Sequence, residues 1–362
     1  MRIALLALFG VLLLIAPIYL DGSWLAIGIL GMAAAIGAIG LTLLVGTAGQ
    51  LSLAHAFFIA VGSYGYAFLA GEPKTSGASG LGWPPLAAAI TAVVLAALAG
   101  LIFSPVAARL RGLYLGVASL ALVFVAQHVF RNSGSVTGGT NGRRVQTFSI
   151  LGFDLNGSAP ELNVLGVPFE ARERMWYVAL LILVLVIIFV SRIVAGRPGR
   201  ALQLLRDNEV AASAMGIPVQ RYKASAFVLS SAIAGLAGVV IALAYQTIVP
   251  QYFGLGLSVN YLAMVIIGGL GSVPGAVLGA VFVTALPLVL QRFGTELGLL
   301  ATAGSGGYDA TLLSQLIFGV IIVLVIILQP GGLSAIGNRL AVRQRTPHAH
   351  SPELTTKRKQ NT

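Results

Sequence analysis

The long apolar runs decide what this chain can fold into. Apolar stretches of roughly 17 to 25 residues match the thickness of a bilayer's hydrocarbon core when wound as helices. The chain has them at 3–20, 24–45, 51–71, 85–108, 112–130, 175–194, 224–247 and 312–329. A further region, 255–290, is apolar but interrupted by GGLGSVPG from Gly268 to Gly275. It reads as two short spans or as a broken, re-entrant hairpin. The expected fold is an all-α polytopic membrane protein with about 8–10 transmembrane helices, including that glycine-interrupted hairpin. Composition agrees, with 9% of residues charged where a soluble domain has about 25%.

The net charge of +11 suggests a nucleic-acid partner at first sight. The basic residues, however, are spread among loops and a tail beside apolar spans, where membrane topology accounts for them, so no nucleic acid is expected. With the N-terminus inside and the interrupted region counted as two crossings, the inner segments hold 15 Lys and Arg against three acids (Asp207, Glu209 and Glu353). The outer segments hold seven bases and eight acids. Positive charge is retained on the cytoplasmic side, so both termini and residues 195–223 belong in the cytoplasm and 131–174 outside. Arg2 ahead of an apolar run resembles a secretory signal, but the run ends Pro17-Ile18-Tyr19-Leu20 with no small-x-small cleavage site, so the first helix is expected to be retained. Residues 1–333 then form a transmembrane domain and 334–362 a basic, disordered cytoplasmic tail.

Missing features narrow the chemistry. The chain has no cysteine and no GxxxxGK[ST], HExxH or GxSxG pattern, so no ATP site, metal site, cofactor or catalytic residue is expected. None of the spans carries Asp, Glu, Lys or Arg within its apolar core, whereas ion-coupled carriers rely on intramembrane carboxylates. Energy must then come from a partner.

The polar island Gly196–Lys223 is where a partner can grip. Pro198 and Gly199 are expected to break the preceding span, and Ala201 to Met215 reads as one amphipathic helix. Leu202, Leu205 and Ala212 recur on one face while Arg200, Gln203, Arg206 and Asp207 lie elsewhere. Gly216 followed by Ile217-Pro218 is a stop signal. Periodicity alone fits a solvated connector as well as a docking handle.

The run GRALQLLRDNEVAASAMGIPVQRYK resembles the cytoplasmic loop of branched-chain amino-acid ABC importer permeases of the LivM type. So, in the same order, do LLVGTAGQLSLAHAFF (Leu43 to Phe58), LRGLYLGVASLAL (Leu110 to Leu122), TGGTNG (Thr137 to Gly142), AFVLSSAIAGLAG (Ala226 to Gly238) and VIIGGLGSVPGAVLGA (Val265 to Ala280). The likeness covers roughly 24–333. It implies that Glu209, Ala211, Ala212 and Gly216 match the E-x-A-A-x-x-x-G core of the loop that docks on the ATPase, with Arg206 and Asp207 beside them. It implies partners as well: a second homologous permease, two cytoplasmic ATPases and an external solute-binding protein, for which 131–174 is the candidate docking loop. Branched-chain amino acids are the implied substrate. Urea or short amides are the alternative within the class, and a self-contained channel or ion-coupled carrier the alternative outside it. One departure bears on substrate: Phe124 and Gln127 stand where many relatives carry an intramembrane glutamate and a nearby arginine.

Two glycine-rich turns lie at membrane depth, one with Gly46, Gly49, Gln50, Ser52 and His55, the other with Gly268, Gly269 and Gly271. Unwound backbone in a bilayer is tolerated only where protein or water satisfies it, and broken segments in both halves of a transporter point to its pathway. For the later turn, close helix packing through Gly271, Gly275 and Gly279 is an equal reading. His55 suits a hydrogen-bonder between helices or a titrating switch. The topology has a direct test in this cysteine-less chain. A cysteine at Ser158 should react with an impermeant reagent in intact cells and one at Ser213 should not; the reverse pattern would overturn the orientation.

Overall fold

Each apolar run becomes a helix. The computed structural model describes residues 2–73, 78–110, 112–150, 153–155, 157, 163–164, 167–293 and 310–328; the tail expected at 334–362 lies outside them. The helices are α1 (Arg2–Tyr19), α2 (Gly22–Leu41), α3 (His55–Ala70), α4 (Pro85–Arg109), α5 (Leu113–Asn132), the short turn α6 (Gly134–Thr137) and α7 (Ala171–Ala195). They continue with α8 (Arg197–Asp207), α9 (Glu209–Ala214), α10 (Val219–Tyr245), α11 (Leu255–Gly268), α12 (Val273–Phe293) and α13 (Ala310–Leu328). Strands among the described residues are two-residue pairs such as Arg143–Arg144 with Thr247–Ile248. The chain is an all-α polytopic membrane protein: among the described residues, six helical runs are long and apolar enough to cross a bilayer, and four shorter apolar helices accompany them.

At the centre stands α2, which runs on into a π-helical turn, Thr42–Thr47. Its sequence GMAAAIGAIGL has no polar face, and from Gly31 to Leu44 every residue is buried. A helix that is apolar all round belongs inside, and α2 is enclosed by α7, α10, α11 and α12. The outer helices α4, α5 and α7 instead turn large apolar side chains outward, among them Ile90, Ile102, Val125 and Leu181, as a lipid-facing surface requires.

Between helices in lipid there is little hydrophobic drive, so contact depends on close fit at small residues. The α3–α10 crossing shows the limit of that fit. A β-carbon on Gly62 would stand 2.1 Å from the carbonyl oxygen of Gly235, and one on Gly238 2.1 Å from that of Ile59. The same contact lets Ser63 Oγ donate to the Gly238 carbonyl at 2.7 Å.

The links sort to two ends. At one, Arg143 bonds the carbonyls of Ser79 and Val136 at 2.9 and 2.7 Å, and Arg292 bonds Ser23. The first set joins the connections after α3, α5 and α10, and the second joins the end of α12 to the start of α2. Burial pushes the Arg143 guanidinium down from its usual range. At the other end the connections after α2, α4, α7 and α11 converge on α8 and α9.

Two expectations need correction. Pro198 does not break a span; it lies in the first turn of α8, where its missing N–H costs nothing. The helix expected from Ala201 to Met215 is two, divided at Asn208, whose extended backbone (φ −158°, ψ 107°) ends α8 and caps α9. The region 255–290 resolves into unequal arms, with α11 of 14 residues and α12 of 21. A helix of α11's length covers about 21 Å, short of a full crossing.

The α3–α10 contact makes a prediction. Gly62→Leu should lower the thermal midpoint of the purified protein, since overpacking a tight contact costs about 1–3 kcal/mol. Gly256→Ala should leave it unchanged, because nothing lies within 4 Å of a β-carbon there. Equal midpoints for both would refute the close-fit account.

Candidate functional site

The end that gathers α8 and α9 also gathers both glycine turns. Helix α8 lies with Gly199, Leu202 and Leu205 buried, while Arg200, Gln203, Arg206 and Asp207 are exposed. Thus the apolar face read from the sequence is the face that seats the helix. Asn208 Oδ1 accepts the backbone N–H groups of Val210 and Ala211, both at 3.0 Å, an N-cap that starts α9 afresh. The D-N-E order carried that signal, and periodicity overrode it.

Ala212 is the buried anchor of α9, while Val210 and Met215 are 73% and 74% exposed and Ala211 is also open to solvent. Gly216 ends the helix at φ +80° with open space where a β-carbon would stand, so backbone conformation, not crowding, calls for glycine there. Glu209 does not lie inside one helix running from Ala201 to Met215. It opens α9, and its carboxylate pairs with the Lys223 ammonium in the first turn of α10. Lys223 is 4% exposed, and a buried ammonium needs a counter-charge close by. The pair therefore fastens α9 to α10.

Arg206 reaches the other way. Its Nη1 donates to the Gly46 carbonyl at 2.7 Å, and its Nε to Asp207 Oδ1 at 3.1 Å. Gly46 lies in the last turn of the α2 run, where carbonyls have lost their helical partners and the helix dipole favours a cation. A guanidinium from a helix 160 residues away in sequence thus caps the central helix. The approach depends on glycine: a β-carbon on Gly49, whose φ is +69°, would lie 2.6 Å from Arg206 Cγ.

The two glycine turns, remote in sequence, touch. A β-carbon on Gly46 would stand 2.2 Å from the backbone nitrogen of Gly271. Gly269 (φ +107°) and Gly271 (φ +81°) turn the chain between α11 and α12, and Gly268 meets Gly275 so closely that a β-carbon would stand 2.2 Å from the Gly275 carbonyl oxygen. Close packing, one of the two readings of the later turn, is what these contacts show.

Of the remaining candidates, Gln50 is 4% exposed, and neither atom of its side-chain amide has a hydrogen-bond partner among the described residues. It borders a cavity of about 110 Å³ shared with Arg206, Asp207, Glu209 and Lys223. Ser52 Oγ accepts the Ala54 N–H at 3.3 Å at the approach to α3. His55 opens α3 and donates through Nε2 to the Gly37 carbonyl of α2 at 2.9 Å, with its ring 4.9 Å from that of Tyr261 on α11. That is the geometry of a hydrogen-bonder between helices. Phe124 is 54% exposed on α5, away from this cluster. Among the described residues, no three His, Asp or Glu side chains gather closely enough to share a metal ion.

These features define a class: a polytopic helical membrane protein with a two-helix handle bonded directly to its central helix. The profile of a family described as branched-chain amino acid transport system / permease component matches residues 23–326, and the chain belongs to that family. The high-affinity branched-chain amino acid transport system permease protein LivM of Escherichia coli (strain K12) is 29% identical over 299 residues, covering 80% of this chain and 64% of its own. LivM of Salmonella typhimurium is 30% identical over 301 residues with the same coverage. LivH of the Escherichia coli strain is 30% identical over 159 residues, 44% of this chain and 46% of its own. The chain thus spans 64% of the length of either LivM relative. No solved structure matches it.

Two variants test the handle's construction. Glu209→Ala should destabilise the protein by about 3 kcal/mol by stranding a buried ammonium, and adding Lys223→Met should recover most of that loss. Gly216→Ala should cost about 1 kcal/mol. Thermal unfolding of the purified variants reads both; a double variant no better than Glu209→Ala would refute the pairing.

Proposed function

We propose that this chain is a membrane-spanning permease subunit of an ABC importer that carries branched-chain amino acids across the cytoplasmic membrane. The observation that carries the reading is the Arg206–Gly46 bond, which joins the α8–α9 handle to the central helix where the two glycine turns meet. Family membership supports the substrate class, because the LivM and LivH relatives are named for branched-chain amino acid transport. Two different permease proteins similar to this chain, both named for high-affinity branched-chain transport in one Escherichia coli strain, support pairing with a second, homologous permease.

The handle faces the cytoplasm, with both termini on that side, as the positive charge of its segments requires. Val210 and Ala211 on α9, with Met215 at its C-cap, are an apolar patch on an otherwise polar end, the kind of surface a partner covers. There each of two ATPase subunits docks on one permease. Ala212 and the Glu209–Lys223 pair keep α9 seated, Gly216 directs its exit, and Asp207 steadies the Arg206 side chain. ATP binding and hydrolysis in the partners move the handle, and Arg206 carries the motion to Gly46. The contacts of Gly46 and Gly49 with Gly268, Gly269 and Gly271 form the inner closure. Gln50, Ser52 and His55 line its approach. An external solute-binding protein delivers the substrate at the opposite end.

Reconstitution tests this. Proteoliposomes holding the permease pair, the ATPases and the binding protein should take up radiolabelled leucine, isoleucine or valine when ATP is supplied; uptake of urea in their place would overturn the substrate. Arg206→Gln should reduce uptake about tenfold, the scale of one charged hydrogen bond, while ATP hydrolysis continues. Uptake per ATP equal to that of the parent would overturn the coupling role.

A further inference from the structure

At the end of the molecule opposite α8, a cavity of about 740 Å³ opens between the start of α2, the start of α7 and the last turn of α10. Pockets that hold small ligands run about 300–1,000 Å³. Its walls divide by chemistry. Ile29 and Leu30 of α2, Met175 of α7 and Leu243 of α10 form an apolar side, and Arg172 and Glu173 present opposite charges on the other.

The two charges are available. Glu173 Oε2 is buried and has no hydrogen-bond partner among the described residues. Arg172 lies across the first residue of α2, its Nη1 2.6 Å from where a β-carbon on Gly22 would stand, so glycine there makes room for the guanidinium. The neighbouring Arg174 is occupied elsewhere, bonding the carbonyls of Phe169 and Asp154 at 3.1 and 3.0 Å and standing 4.9 Å over the Phe153 ring. Among the described residues no ion pair joins Arg172 to Glu173. Gln246, also on the cavity wall, is the one described non-glycine residue with positive φ, at 56°. Its backbone is held by bonds from Val145 and to Ala242, both 2.9 Å. Strained backbone of this kind concentrates at ligand sites.

A buried carboxylate oxygen without a donor, an adjacent guanidinium and an apolar wall together describe one ligand chemistry: an ammonium, a carboxylate and an aliphatic side chain on a single small molecule. We propose that this cavity is an acceptor site for a zwitterionic aliphatic amino acid, with Glu173 taking the ammonium, Arg172 the carboxylate and Ile29, Leu30, Met175 and Leu243 the side chain. It receives the substrate at the outer end and holds it loosely before the central closure opens. The assignment rests on the function proposed above and adds to it a binding site on the permease itself.

The experiment uses the reconstituted complex in nanodiscs without the binding protein. Saturation-transfer NMR is recorded with three probes: L-leucine, L-leucinamide, which lacks the carboxylate, and 4-methylpentanoate, which lacks the ammonium. Loss of one charged contact is expected to weaken binding about tenfold. Glu173→Gln should therefore weaken L-leucine and L-leucinamide and leave 4-methylpentanoate unchanged. Arg172→Gln should weaken L-leucine and 4-methylpentanoate and leave L-leucinamide unchanged. Ala26→Phe, which fills the cavity from α2, should weaken all three, and Glu72→Gln, outside the cavity, none. Parent-like thermal midpoints and ATP hydrolysis certify each variant as folded. If the parent complex transports leucine in proteoliposomes but the folded Glu173 and Arg172 variants bind all three probes as the parent does, the site is overturned and the proposed function stands. If the parent transports no branched-chain amino acid, both fall.

Discussion

A carbonyl at the end of a buried helix needs a donor, and in a bilayer water does not supply one. The last turn of the central helix ends where α11 turns into α12, with Gly46 against Gly271. The donor that reaches Gly46 is a guanidinium from α8. Much follows from that one bond. It keeps α8 seated across the end of the central helix and requires Gly49 to be small where the arginine stem passes. It also sets Arg206 at the rim of the small polar cavity beside Gln50.

The same economy of space governs the rest of the helical body. Helices in lipid gain little from excluding water, so they are held by contacts that only glycine, alanine and serine permit. The α3–α10 crossing at Gly62, Gly235 and Gly238 is the clearest case. Large apolar side chains are displaced outward to α4, α5 and α7, where they meet lipid. Charges are confined to the two ends. At the α8 end, Lys223 is bonded to Glu209 and Arg206 to Asp207 and the Gly46 carbonyl. At the opposite end, Arg143 is consumed by loop carbonyls, whereas Glu173 has a buried oxygen without a partner among the described residues.

Helix α9 shows how an exposed apolar surface is built without weakening the body beneath it. Its anchor is a methyl group, Ala212, fully buried, and its tether is an ion pair at its first residue. Everything farther out, including Val210 and Met215, is turned to solvent. The apolar patch is thus supported from beneath by its contacts with α8 and α10.

The sequence by itself determined the class, the order of the helices and which face of α8 is buried. Those follow from local quantities: run length against bilayer thickness, the spacing of Leu202 and Leu205, and the stop signal at Gly216. It also marked both glycine turns as special, since unwound backbone at membrane depth demands an explanation. What it could not contain is adjacency. Gly46 and Gly271 touch, Arg206 caps α2, and Glu209 pairs with Lys223 because helices distant in the chain cross at particular points. Those crossings are set by how small residues let backbones approach in three dimensions. The break at Asn208 was present in the residues, but a helical period running through it outweighed a single capping side chain until its two hydrogen bonds were seen. Glu209, matched by resemblance to the core of a docking loop, turns inward for a physical reason that only the fold supplies: a lysine buried near the start of α10 has no other carboxylate within reach among the described ion pairs.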